Sequence, residues 1–335
     1  MEPLIVGVKG CLEDLRFIEE KNQRHEFKPG FWQQNADFTL GRDVLIAAAG
    51  SISNQVTKFS LVMGKEEVPK EALSVCQALY EPCQQLMSAL KVSVLAGAGY
   101  ALTKELSQST HRILVNILEL SNRMQHKDFA RVPEFTGRIW DACTLMDSIS
   151  KSNLIATKRL MLQTVSVLND TVQELEQALA ESTAESEATE VDVELQDDLD
   201  FDMDASLTPQ EVQQLTLSID VLKMTQAIAK KGVLALNSTA SADGQDGFVQ
   251  WGGAFPVVYD AIQTAVVDMG ADLTPPFEAD VVASHISALE KIGTDCLRHL
   301  LDQPGIASTA DLHKGLKAFQ DKVQACLAAL HEETE

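Results

Sequence analysis

Apolar residues recur every seven positions along residues 152–180, the most regular stretch of the chain. Two rows make up the pattern: Leu154, Met161, Leu168 and Leu175 in one, and Val165, Val172 and Leu179 in the other. Because the stretch contains no Gly and no Pro, it predicts one uninterrupted amphipathic helix about 45 Å long. Two roles fit such a stripe: it packs into the chain's own bundle, or it contacts a partner protein.

The rest of the chain shows the same helical periodicity, interrupted by Pro and Gly. The pattern predicts further helices at about residues 4–21, 31–63, 69–96, 100–125, 138–149, 208–236, 255–269, 276–302 and 309–332. Pro82 falls inside the third of these, and we expect it to kink or divide that helix. Alternating strand patterns flanked by hairpin turns are absent from the sequence. The chain is therefore predicted to be all-α, with nine or ten helices.

An acidic tract separates two sets of helices. Residues 181–204 contain eleven acidic side chains and no Lys or Arg, and such composition is typical of a solvated, disordered linker. Thr208, Pro209 and Glu211 then match an N-cap, a proline at the first helical position and a capping-box acid. We therefore predict four parts, as follows: an N-terminal helix and link (1–30), an N-terminal bundle (31–180), an acidic linker (181–207) and a C-terminal bundle (208–335).

Charge and composition exclude several classes of partner. The net charge is −22 and the sequence pI is about 4.6, whereas nucleic acids and anionic membranes are bound by clustered Lys and Arg. No apolar run reaches the ~18 residues of a membrane span, and the N-terminus does not resemble a signal peptide. The six cysteines form no CxxC pair, which fits buried, reduced thiols. We expect a cytoplasmic and nuclear protein.

Motifs for catalysis or cofactor binding are weak. Gly97-Ala98-Gly99 lacks the third glycine and the preceding strand of a dinucleotide fingerprint, so a helix end and tight turn explain it. The seven histidines form no HExxH pattern. Residues 200–211 place acidic side chains at several positions of a calcium loop, but Ala205 stands where the loop needs Gly, and Glu211 also fits a helix cap. We predict no enzyme activity, no cofactor and no metal.

Three segments resemble one family. FWQQNADFTLGRDVLIAAAGSISNQVTKF (31–59), GRIWDACTLMDSIS (137–150) and LMLQTVSVLNDTVQELEQAL (160–179) are similar to successive signatures of the cyclin-D-binding protein family. This family of adaptor- and cyclin-D-interacting proteins is also described as maternal Id-like or HLH-zipper-like. The resemblance covers about residue 31 to the end, and it includes a Trp-x-x-Cys motif at Trp140 and Cys143.

The resemblance implies two five-helix-bundle-like lobes, distantly like vinculin and talin bundles. It implies a non-enzymatic regulator that binds D-type cyclins and helix-loop-helix transcription factors, and that restrains cell-cycle progression and transcription. The zipper-like segment of the family maps onto the row from Leu154 to Leu175, which makes these residues the candidate partner-binding site. Since no basic segment precedes this row, we expect sequestration of partners rather than DNA contact. The alternative is a vinculin- or talin-like cytoskeletal adaptor.

Overall fold

A computed structural model describes residues 1–64, 70–189, 207–238, 246–273, 278–303 and 309–331. The side chains of 183–189, 238 and 246 are outside this description. Ten α-helices and no β-strand occur in the described part, so the prediction of an all-α chain is confirmed. The helices are α1 (Glu2–Gln23), α2 (Ala36–Met63), α3 (Ala72–Leu95), α4 (Tyr100–Gln125), α5 (Val132–Leu145), α6 (Asn153–Thr189), α7 (Pro209–Ser238), α8 (Asp246–Asp272), α9 (Ala279–Leu301) and α10 (Ala310–His331).

Backbone contacts divide the chain into two compact units. The first comprises residues 1–157 and 243–253, and the second comprises 158–242 and 254–335. Both α6 and α8 therefore contribute residues to each unit. The sequence placed boundaries at residues 30, 180 and 207 instead, and α6 shows no Pro or Gly where it passes from the first unit into the second after Thr157. Whether those boundaries mark independently folding pieces stays a prediction.

Several helix limits differ from the sequence prediction, among them the starts of α2 at Ala36 and of α5 at Val132. Of the two outcomes expected at Pro82, a kink or a division, the division does not occur, because α3 continues from Ala72 to Leu95. α8 begins at Asp246 rather than near Phe255. α6 continues to Thr189, so the first residues of the predicted acidic linker are helical. The remainder of that linker, 190–206, lies outside the described residues, as do the first positions of the calcium-loop match.

In the first unit, α1 packs on α3 and α4, and α2 packs on α3 and α5. A network of hydrogen bonds centred on Asn153 joins the segments that connect these helices. Asn153, at the start of α6, donates to the carbonyls of Phe31 (2.7 Å) and Gly97 (3.0 Å) and accepts from the Gly99 amide (2.7 Å). Gly97 has a φ of 101° and its carbonyl also accepts from Gly30 N. The Gly97-Ala98-Gly99 segment is thus the turn that the sequence indicated.

The start of α8 belongs to the first unit because of close packing on the link before α2. A Cβ added to Gly252 would lie 2.6 Å from the Trp32 ring, and one added to Gly253 would lie 2.5 Å from Pro29. Both distances are shorter than a carbon–carbon contact, so larger side chains do not fit there. Two consecutive glycines therefore let this helix lie directly against the link.

In the second unit, α7, α9 and α10 pack on one another. The predicted capping box of α7 is confirmed: Thr208 N and Oγ1 donate to Glu211 Oε2 at 2.8 Å, and Glu211 N donates to Thr208 Oγ1 at 3.2 Å. The buried Tyr259 hydroxyl donates to Ala229 O at 2.5 Å, which joins α8 to α7. Within the described ranges, no helix is both long and apolar enough to cross a membrane.

Candidate functional site

The heptad row on α6 is mostly buried. Met161 and Leu168 are fully buried and Leu175 is 7% exposed, whereas Leu154 is half-buried. Leu154 lies in the first unit, where its amide donates to Trp32 O at 3.1 Å. The other three lie in the second unit. The folded chain therefore does not present this row as one exposed stripe.

Polar contacts show which helices cover α6 in the second unit. Thr164 Oγ1 donates to Tyr259 O of α8 at 3.4 Å, and Gln226 Nε2 of α7 donates to Asn169 Oδ1 at 3.3 Å. Lys223 of α7 forms an ion pair with Glu176 at 2.6 Å. The buried residues of the row therefore belong to the core of the bundle, which is one of the two roles that the sequence left open. Partner binding through it stays a prediction, and it requires α6 to separate from α7 and α8.

The described residues contain no cluster of three or more His, Cys, Asp or Glu that could hold a metal ion. Glu211, the last position of the calcium-loop match, is engaged in the cap of α7. All six cysteines are unpaired and buried, and burial raises the pKa of the Cys143 and Cys296 thiols to about 12. At neutral pH these thiols are protonated, which makes them poor nucleophiles.

An apolar groove lies between α2 and α3. Its volume is about 510 Å³, and three large apolar side chains on its walls are exposed: Leu40 (65%), Val44 (41%) and Val92 (47%). The remaining lining residues are Gly41, Glu81, Gln84, Gln85, Ser88 and Ala89. Apolar side chains that converge on a groove, with polar groups at its rim, are typical of a site for a partner helix.

Small residues at the crossing of α2 and α3 produce this groove. A Cβ on Gly41 would lie 2.6 Å from Ser93 Oγ, so the two helices approach closely only because position 41 is Gly. Ser93 Oγ donates to Ala89 O of its own helix at 2.9 Å and needs no partner on α2. Both Gly41 and Ala89 are buried. Leu40, Val44 and Val92 lie beside this closed floor and are exposed.

The groove lining carries one charged side chain. Glu81 is the ionisable side chain among the lining residues, and it is exposed. The two cations next to the lining in sequence are engaged elsewhere. Arg42 donates to the carbonyls of Asp147 and Ile149, and Lys91 forms an ion pair with Asp14 of α1 at 2.6 Å. The groove is therefore apolar, with neutral polar residues and one carboxylate, that of Glu81, at its edge.

Much of the groove lies within the part of the chain that matches a known family. Residues 44–181 match the family model described as Grap2 and cyclin-D-interacting, N-terminal. These residues are therefore similar to the N-terminal region of the cyclin-D-interacting family. The resemblance identified in the sequence is thereby confirmed. Val44 and all lining residues of α3 are inside the matched range, and Leu40 and Gly41 immediately precede it.

Two curated relatives carry the same name. Cyclin-D1-binding protein 1 homolog of Xenopus laevis is 27% identical over 200 residues, which is 53% of this chain and 53% of the relative. Cyclin-D1-binding protein 1 homolog of Danio rerio is 23% identical over 150 residues, or 41% of each chain. The aligned region thus spans about half the length of these relatives or less.

Leu40, Val44 and Val92 do not stand out in the sequence pattern. Leu40 and Val44 are four residues apart, off the buried stripe of α2 that contains Phe38, Leu45 and Ile52. Apolar residues outside the buried stripe indicate that a helix has a second apolar face. Only the packing of α2 against α3 shows which of the two sides stays exposed.

Proposed function

We propose that this protein is a non-enzymatic regulator that binds a D-type cyclin and restrains cell-cycle progression. The observation that carries the proposal is the match of residues 44–181 to the cyclin-D-interacting family. The names of the two relatives describe binding to cyclin D1 and no reaction. The absence of a metal cluster from the described residues is compatible with a protein that acts by contact rather than by catalysis.

Binding to helix-loop-helix transcription factors is a second part of the proposal, and it rests on the resemblance alone. In this role the protein restrains transcription by holding its partner away from DNA. A net charge of −22 supports sequestration, because a surface this acidic is repelled by phosphates and attracts the basic segments of DNA-binding proteins. Such a regulator acts in the nucleus and the cytoplasm.

The physical basis of partner binding is electrostatic attraction followed by apolar contact. Long-range attraction to an acidic protein raises the rate of encounter with a basic partner and falls as salt is added. Affinity then depends on a few buried apolar side chains at the contact. The exposed residues of the α2/α3 groove are able to supply such contacts.

A pull-down with the full chain as bait tests this function. We expect a purified D-type cyclin to be retained above the background of bare resin, and a helix-loop-helix protein to be retained in a parallel experiment. Failure of the cyclin to bind would overturn the central proposal, and failure of the helix-loop-helix protein alone would remove the second part. Co-sedimentation with actin filaments distinguishes the alternative role as a cytoskeletal adaptor, which we expect to give no enrichment in the pellet.

A further inference from the structure

We propose that the α2/α3 groove binds one amphipathic helix of a partner, with a narrow apolar face flanked by Lys or Arg. The identity of the protein that carries this helix, a D-type cyclin, rests on the proposed function. The chemistry of the helix is inferred independently from the groove. The inference assigns recognition to Leu40, Val44 and Val92 and not to the heptad row of α6.

The length and shape of the groove fit a short helix. On α3 its lining extends from Glu81 to Val92, which is about 16 Å at 1.5 Å per residue. A docked helix of about three turns covers that length. On α2, Leu40 and Val44 lie one turn apart, and Val92 faces them from α3. Apolar residues at positions i, i+3 or i+4, and i+7 of a partner would meet these three side chains.

The floor limits the size of the apolar face that can enter. Gly41 and Ala89 form the bottom of the groove, and Gly41 is already closed against Ser93. The groove is therefore shallow, and it accepts a single row of side chains rather than the wide face of a core helix. When only one row of partner side chains enters the groove, the side chains that flank this row lie next to the edge of the groove.

The rim favours positive flanks on the partner. Glu81 is exposed at one end of the groove, and Arg42 and Lys91 are held by other groups. No cation of the lining is available to balance an acidic helix, and the whole chain carries a charge of −22. An acidic helix would be repelled, and a basic one would be attracted.

The same charge argument disfavours two other occupants. A second copy of this chain would bring together two proteins of charge −22, each with Glu81 beside its groove. The acidic tract of the chain itself, residues 181–204, carries eleven acidic side chains and no cation. Like charges at an interface weaken association, so a basic helix from another protein is the occupant that the groove favours.

Two synthetic helical peptides of about 15 residues test the chemistry of the groove. Each carries Leu at the i, i+3 or i+4, and i+7 positions, with Lys elsewhere in one peptide and Glu in the other. Fluorescence anisotropy with the full chain measures Kd at physiological ionic strength. The variant combines Leu40→Gln and Val92→Gln, and the control is Leu61→Gln. Leu61 lies on the same helix, is 70% exposed and does not line the groove.

We expect the Lys peptide to bind, and its Kd to rise at least tenfold in the double variant and not in the control. The Glu peptide should not bind. All three proteins should give the same circular dichroism spectrum, because the substituted side chains are exposed. Failure of the Lys peptide to bind would overturn the inference. An unchanged Kd in the double variant, or equal binding of the Glu peptide, would also overturn it.

Repeating the measurement with a D-type cyclin separates the inference from the proposed function. Loss of cyclin binding in the double variant, with binding retained in the control, supports both. Cyclin binding that survives in the double variant contradicts the assignment of the cyclin to the groove and leaves the function standing. A cyclin that does not bind the unmodified chain contradicts the function, and the peptide result then decides the chemistry of the groove by itself.

Discussion

Substitution of Leu168 by Ala tests whether the heptad row of α6 is bundle core or a partner surface. Leu168 is fully buried in the second unit. The matched control is Leu162→Ala on the same helix, where the side chain is 47% exposed. Both changes remove the same atoms and leave a residue with high helix propensity, so helix propensity cancels between them.

The expected difference follows from burial. Removing a fully buried Leu side chain to Ala costs about 2–5 kcal/mol, because the transfer free energy is lost and a cavity remains. At Leu162 about half the side chain is already in contact with water, no closed cavity forms, and the cost is below about 1.5 kcal/mol. With a urea m-value of about 2 kcal/mol/M, a loss of about 3 kcal/mol lowers the unfolding midpoint by roughly 1.5 M.

Urea unfolding followed by circular dichroism measures both variants. If the two units unfold separately, the shift should appear in only one of the two transitions. Equal midpoints for Leu168→Ala and Leu162→Ala would refute the assignment of Leu168 to the core. Leu168→Asp sharpens the comparison, because it places an unpaired carboxylate in the core, and we expect it to be more damaging than Ala.

Three further changes probe other parts of the structure. Asn153→Ala removes three hydrogen bonds from a buried position and should destabilise the first unit by about 2–4 kcal/mol in urea unfolding; a loss below about 1 kcal/mol would contradict a structural role. Because burial raises the pKa of the Cys143 and Cys296 thiols to about 12, native protein at pH 8 should react slowly with iodoacetamide and should label at all six cysteines only in denaturant. Thr208→Ala breaks the capping box with Glu211 and should cost about 1 kcal/mol of stability; an unchanged midpoint would exclude the cap as a stabilising element.

Periodicity predicted most of the helices, because apolar rows at helical spacing must be buried somewhere. Periodicity did not predict the features that depend on tertiary packing. Pro82 lies buried inside α3, which continues on both sides of it, and the local sequence favoured a break at this position. The division of α6 after Thr157 leaves no mark in the pattern, since the helix continues without a break. The close contacts of Gly252 with Trp32 and of Gly253 with Pro29 join segments far apart in sequence, which a local pattern does not show.

The candidate site was less predictable than the fold. The strongest pattern, from Leu154 to Leu175, was compatible with bundle core and with partner binding, and its buried members pack within the second unit. The exposed apolar residues Leu40 and Val92 lie 52 positions apart in sequence, and nothing local connects them. Their shared groove depends on the close crossing at Gly41, which is a property of two helices together.

The measurement that tests the account most directly is isothermal titration of the full chain with a purified D-type cyclin. We predict saturable binding that Leu40→Gln combined with Val92→Gln weakens at least tenfold, and that Leu61→Gln leaves unchanged. The absence of saturable binding to the unmodified chain, under conditions in which circular dichroism shows it to be folded, would contradict the proposed function.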